Sequence, residues 1–202
     1  MGTFETAFIL ASALGLGALH AFEVDHMTAV GAFVADRPKR GQALWFGVKW
    51  ALGHALSLVL FGSLLFALKL AVADDVNHWF ERTVGFALVV VGLVSLSKLR
   101  ATGVAHMHNH GAGSFWMGML HGVAGTAAFV GQSLVVLAKS YPLALAYTLS
   151  FSVGVLLVMA IYAMFLGGLL SWAGTRSQVM AQGARAAVGL WSCGVGLFWM
   201  FR

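Results

Sequence analysis

The residues best suited to chemistry in this chain sit together in seven positions, His20-Ala-Phe-Glu23-Val-Asp25-His26. Imidazole nitrogens and carboxylate oxygens bind divalent transition metals, and both also carry protons. Their setting is the unusual part. Leu14-Gly-Leu-Gly-Ala-Leu19 precedes them and Met27-Thr-Ala-Val-Gly-Ala-Phe33 follows. A charged side chain at the centre of a bilayer costs at least about 2.5–3.5 kcal/mol, so such residues face a bundle interior, find partners and act on ions or protons.

Geometry limits what the cluster can do. At about 100° per residue, Asp25 lies about 140° around a straight helix from His20, and His26 about 240°. Three side chains so placed do not meet on one ion. Convergence requires the backbone to unwind between His20 and His26, which also frees carbonyls and a helix terminus, the devices with which transporters build ion sites.

Two further apolar stretches offer imidazoles, at Gly53-His54 and at His121-Gly122, the latter followed by Gly125-Thr126. The buried inventory is imidazole plus carboxylate without thiolate, which suits nickel, cobalt, copper or zinc. Met27 and Met119 offer thioethers, though nine Met in so apolar a chain are mostly packing residues. The plainer reading of His54 or His121 taken singly is a histidine hydrogen-bonded between helices. Glu23 and His121 are candidates for a direct ligand or for the partner of one. His106, His108 and His110 form a separate alternating cluster in a polar break, a compositional metal-binding signal or simply a solvated loop.

The elements that position these groups follow from composition. Of 202 residues 60% are hydrophobic and 9% charged, and the mean hydropathy is +0.87. A soluble domain carries about a quarter charged residues, so most of this surface must face lipid. The net charge of +5 does not indicate nucleic acid, because the basic residues lie at segment ends and form no stripe. Cys193 is alone, which excludes an internal disulfide. No Lys or Arg precedes Arg37, so the first apolar segment lacks the positive start of a cleaved signal and reads as a retained span.

Long apolar runs define six spans, 4–35, 42–72, 79–97, 114–138, 143–171 and 184–201. The fold expected is all-α and polytopic. The first two spans are too long for straight crossings, since 30 helical residues cover about 45 Å against about 30 Å of hydrocarbon. The breaks holding Arg37, Lys39, Arg40, Lys98, Arg100, Arg176 and Arg185 are the more basic, which places them in the cytoplasm and both termini outside it. The expected location is the inner (plasma) membrane.

The halves resemble each other. Gly17-Ala18-Leu19-His20 matches Gly118-Met119-Leu120-His121, and Arg82 with Gly85 and Gly92 matches Arg185 with Gly189 and Gly196. Leu52-Gly-His-Ala-Leu-Ser aligns more weakly with Leu149-Ser-Phe-Ser-Val-Gly, at an offset of 97. Residues 1–100 and 114–202 then form two three-helix repeats joined by a loop over 101–113. Because three is odd, the repeats face opposite ways, as in many secondary transporters, whose sites lie between the repeats.

His20-x4-Asp25-His26 followed by Leu52-Gly53-His54 resembles the nickel/cobalt transporter family. His20-Ala-Phe-Glu-Val-Asp-His with His121-Gly-Val-Ala-Gly-Thr-Ala-Ala is closer to its short six-span branch, called UreH-like or NicO-like. The resemblance implies a permease rather than an enzyme, with nickel or cobalt as substrate and no prosthetic group. It implies that His20, Asp25, His26 and His54 select the metal. Span 4 lacks the acidic residue that longer relatives carry in a later span. Partners implied are the lipid bilayer, a second copy of the chain, or proteins of metalloenzyme (urease-type) maturation. Two other readings remain open: a haem- or metal-binding membrane enzyme or electron carrier using these histidines, and a membrane accessory subunit for metalloenzyme maturation.

Overall fold

The computed structural model describes residues 2–36, 39–68, 74–100, 110–137 and 140–202. The described regular structure is entirely helical: α1 (Thr3–His20), α2 (Val24–Asp36), α3 (Arg40–Leu68), α4 (Asp74–Arg100), α5 (His110–Leu137), α6 (Tyr141–Arg176) and α7 (Gln178–Phe201). Five of these, α1, α3, α4, α6 and α7, are long and apolar enough to cross a membrane. α5 adds 28 helical residues. Helices are the expected answer in lipid, where every backbone polar group must be satisfied within its own segment. The chain is therefore a multi-pass helical membrane protein.

The first expected span is interrupted where the geometry required it, between α1 and α2. The two pieces still form one line. Ser150 Oγ donates to the Leu10 carbonyl at 2.7 Å, Gly154 lies on Leu14, Tyr162 Oη donates to the Met27 carbonyl at 3.1 Å, and Gly31 lies beside Tyr162 and Leu166. Contacts thus ascend α6 in the same order as they ascend α1 and α2. The pieces are one rod with a fault in it, parallel to α6.

Several boundaries differ from the sequence reading, and α4 runs past residue 97 to Arg100 while α5 begins at His110, inside the loop expected over 101–113. Asp74 and Asp75, expected in a polar break, are the first two residues of α4. The break expected over Gly174–Gly183 shrinks to Ser177. Its extended backbone (φ −166°, ψ 142°) ends α6 and its side chain caps α7, accepting from the Val179 and Met180 N–H groups at 3.1 and 3.4 Å. One residue suffices because Ser satisfies the orphan amides that a longer loop would otherwise leave to water. Ser177→Ala should destabilise the α6–α7 corner by about 1 kcal/mol, and Ser177→Asp should restore most of that. Thermal unfolding in detergent reads the difference.

Helix crossings are made at glycines that bring backbones into contact. α1 meets α6 with Gly17 on Phe151 and Gly154 on Leu14 and Ala18. α3 meets α5 with Gly118 on Trp50 and Gly53 on Phe115 and Met119. Each residue of one crossing lies 101 positions from its counterpart in the other. Gly53 and Gly154 thus occupy matching places in the two crossings, at an offset of 101 rather than the 97 of the weak sequence match. α4 and α7 pack antiparallel through Gly85 on Gly196 and Gly92 on Gly189, with Ser192 Oγ donating to the Leu88 carbonyl at 2.8 Å. α3 also runs antiparallel along α6, with Gly47 on Met159 and Ala163.

Candidate metal centre

α1 ends in a tightened turn. The Phe22 and Glu23 amides donate to the carbonyls of Leu19 and His20, three residues back, at 3.0 Å each. The Glu23 carbonyl then accepts from the Met27 amide at 3.0 Å and starts α2. Neither Ala21 nor Phe22 is a helix breaker, so the fault is held by side chains. Glu23 Oε1 takes His20 Nδ1 at 2.8 Å. Asp25 Oδ1 takes His26 Nδ1 at 2.9 Å. His20 lies in the last turn of α1 and Asp25 in the first turn of α2, where the helix dipole favours the carboxylate.

The result overturns straight-helix geometry. His20 Nε2 and His26 Nε2, which would be about 120° apart around an ideal helix, stand 3.0 Å apart. An ionised carboxylate only accepts hydrogen bonds, so each Nδ1 carries a proton and each Nε2 of a neutral ring carries a lone pair. Two lone pairs facing at 3.0 Å call for a positive charge between them, a proton or a metal ion. Two nitrogens bound at about 2.1 Å to one ion stand about 3.0–3.4 Å apart, depending on geometry.

The other helices complete the cluster. α3 brings His54 and α5 brings His121, both fully enclosed. The His54 ring centroid is 5.5 Å from that of His20 and 5.4 Å from that of His26. His121 Nδ1 donates to the Met117 carbonyl one turn back at 2.9 Å, which turns Nε2 towards Asp25 Oδ2 at 4.0 Å. Among the described residues, both nitrogens of His54 and Nε2 of His121 lack a hydrogen-bond partner. Unpartnered polar atoms in a membrane interior are costly. Two groups of ligating atoms lie within 4.8 Å of one another, His20 with His26 and His54, and Asp25 with His26 and His121. His26 belongs to both.

The cluster is closed on one side and open on the other. A cavity of about 1120 Å³ reaches His20, Glu23, Asp25, His26 and His121, between the starts of α4 and α2 and the end of α7. Glu81 and Arg202 also line it. The Glu23 side chain is 53% exposed and that of His26 only 2%. His54 lies behind them, off the cavity.

All six intramembrane residues singled out from the sequence, His20, Glu23, Asp25, His26, His54 and His121, come together. His106, His108 and the side chain of His110 lie outside the described residues. Met27 turns elsewhere, to a smaller cavity of about 330 Å³ with Tyr162 and Trp191. Sequence reasoning missed two aromatic neighbours. Trp50 touches His26, His54 and His121, with centroids 5.0, 5.3 and 5.4 Å away. Phe151 touches His20 at 5.3 Å. A signal for Trp50 existed, since it precedes His54 by one helical turn and must share its face.

Fold and site define a multi-pass helical membrane protein with a histidine–carboxylate cluster at a helix fault. Over 185 residues the chain is 29% identical to the urease accessory protein UreH of Bacillus sp. (strain TB-90), covering 83% of this chain and 79% of that protein. The chain is thus similar to a urease accessory protein over most of its length. No protein-family model matches the chain, and no solved structure matches it.

Proposed function

We propose that the protein carries a divalent transition-metal cation, nickel or cobalt, through the helix fault between two inverted three-helix repeats. The observation that carries this reading is the pair of buried ligand groups sharing His26, with unpartnered imidazole nitrogens turned towards them. His20, His26 and His54 supply imidazole to the ion. Asp25 and Glu23 hold two of those rings by Nδ1 and offset the cation's charge. Asp25, His26 and His121 offer an adjoining position, so an ion can be exchanged across the His26 ring without leaving nitrogen and oxygen ligands. Soft thioethers and thiolates are absent from both groups, which favours nickel or cobalt over Cu(I).

The inverted-repeat reading has support in the packing. Swapping the halves exchanges the α1–α6 crossing with the α3–α5 crossing at a shift of 101, and exchanges Gly85–Gly196 with Gly92–Gly189. α1–α6 and α3–α5 are each parallel, as alternation of six spans with three per half requires. Both termini lie outside the cytoplasm, so the large cavity beside Arg202 opens outward, and rocking of the repeats would open the other face.

The relative's name as a urease accessory protein favours a second reading, a membrane subunit that serves metalloenzyme maturation without moving metal itself. Proteoliposomes separate the two. Uptake of nickel, cobalt, zinc and manganese is compared for the parent, His20→Ala and Asp25→Asn. Transport predicts nickel or cobalt flux that falls at least about tenfold in both variants, the range seen when residues holding a metal ligand are lost. Equal flux in all three would leave the accessory role. A Soret band in the purified protein would instead indicate haem.

A further inference from the structure

Three of the cluster's histidines are held in orientation by hydrogen bonds, His20 by Glu23, His26 by Asp25 and His121 by the Met117 carbonyl. Metal-binding histidines almost always have such a partner on the nitrogen that faces away from the metal. His54 has none, on either nitrogen, among the described residues. It has Trp50 instead. The indole stacks on the His54 ring at 5.3 Å between centroids and 23° between planes. Trp50 is itself fully enclosed, its Nε1 has no hydrogen-bond partner among the described residues, and its backbone is pinned where Gly118 of α5 crosses α3. It also meets the edges of His26 and His121.

We propose that Trp50 is a positioning residue of the metal centre, which orients His54 by ring stacking in place of the usual hydrogen bond. The proposal rests on the transport reading only in taking His54 as a ligand. The imidazole can change which nitrogen it presents only by turning about its Cβ–Cγ bond, and the indole face resists that turn, so stacking holds the His54 ring plane where no hydrogen bond does. An aromatic of flat shape is required; an aliphatic of similar bulk would fill the space and leave the imidazole free to tip.

The test is a double-mutant cycle on cobalt binding by the full-length protein in detergent, read by equilibrium dialysis and by the ligand-field absorption of bound cobalt. The variants are Trp50→Phe, Trp50→Leu, His54→Ala and the Trp50→Leu/His54→Ala pair. Trp50→Leu should weaken binding about 10–100-fold, as loss of an orienting partner does, and should shift the absorption towards that of His54→Ala. Trp50→Phe should stay within a few-fold of the parent. In the His54→Ala background, Trp50→Leu should cost little more, since residues acting through one another are not additive. Equal and additive losses in both backgrounds would make Trp50 a packing residue and overturn the proposal. So would a Trp50→Leu protein that binds like the parent. Failure of the parent itself to bind cobalt would remove the transport reading first, and this proposal with it.

Discussion

Replacing His26 with alanine is expected to abolish metal binding, weakening it by more than about a hundredfold. Residues that merely hold a ligand typically cost about 10–100-fold, and His26 does more than that. It is the one residue common to both groups of ligating atoms. Its Nε2 stands 3.0 Å from that of His20 and its Nδ1 2.9 Å from Asp25. Removing it leaves His20 without its opposed nitrogen and Asp25 without its nearest proton donor, deep in the bundle. His54→Ala removes a ligand from one group only and His121→Ala from the other, so each should cost less than His26→Ala. The order of the three variants in equilibrium dialysis with nickel or cobalt checks the shared-ligand geometry. An order in which His26→Ala is the mildest would contradict it.

Gly17→Leu is expected to unfold the α1–α6 packing, at a cost of about 3 kcal/mol. A Cβ on Gly17 would fall on the Phe151 carbonyl, a backbone atom that no rotamer change can move aside. The helices would have to separate, drawing Phe151 off His20 and loosening the wall of the metal centre. Gly15 is the control, two residues away on the same helix. Nothing lies within 4 Å of a Cβ placed there. Gly15→Leu should therefore leave thermal unfolding in detergent nearly unchanged. Similar losses for both would mean that α1 is sensitive to bulk anywhere, and that the crossing is not the cause.

The contrast between these glycines shows where sequence reasoning stops. Gly15 and Gly17 look alike in composition, and although the match to Gly118 singles out Gly17, only the partner helix shows that it makes a backbone crossing. The same degeneracy explains why the sequence aligns the second and fifth spans at 97 while the helix crossings match at 101. Small apolar residues align about as well at 97 as at 101, whereas a backbone crossing at Gly53 and Gly154 permits one register. The fault in the first span was legible for the opposite reason. Four polar groups in lipid must be satisfied together, and helical angles alone show that a straight helix cannot satisfy them. Trp50 was legible only through its spacing from His54, one helical turn along the same face, because a tryptophan in an apolar helix does not otherwise show whether it faces lipid or a ligand. The cap at Ser177 was hidden by the polar residues after it, which read as a loop but continue as helix once their amides are capped.

Transport requires movement of the ion through the shared histidine, His26. The direct measurement is the time course of nickel uptake into proteoliposomes holding equal amounts of the parent and of His26→Ala, with empty liposomes alongside. The account predicts uptake by the parent well above the empty liposomes, and by His26→Ala at their level. Parent uptake no faster than empty liposomes, or equal uptake by the parent and His26→Ala, would contradict it.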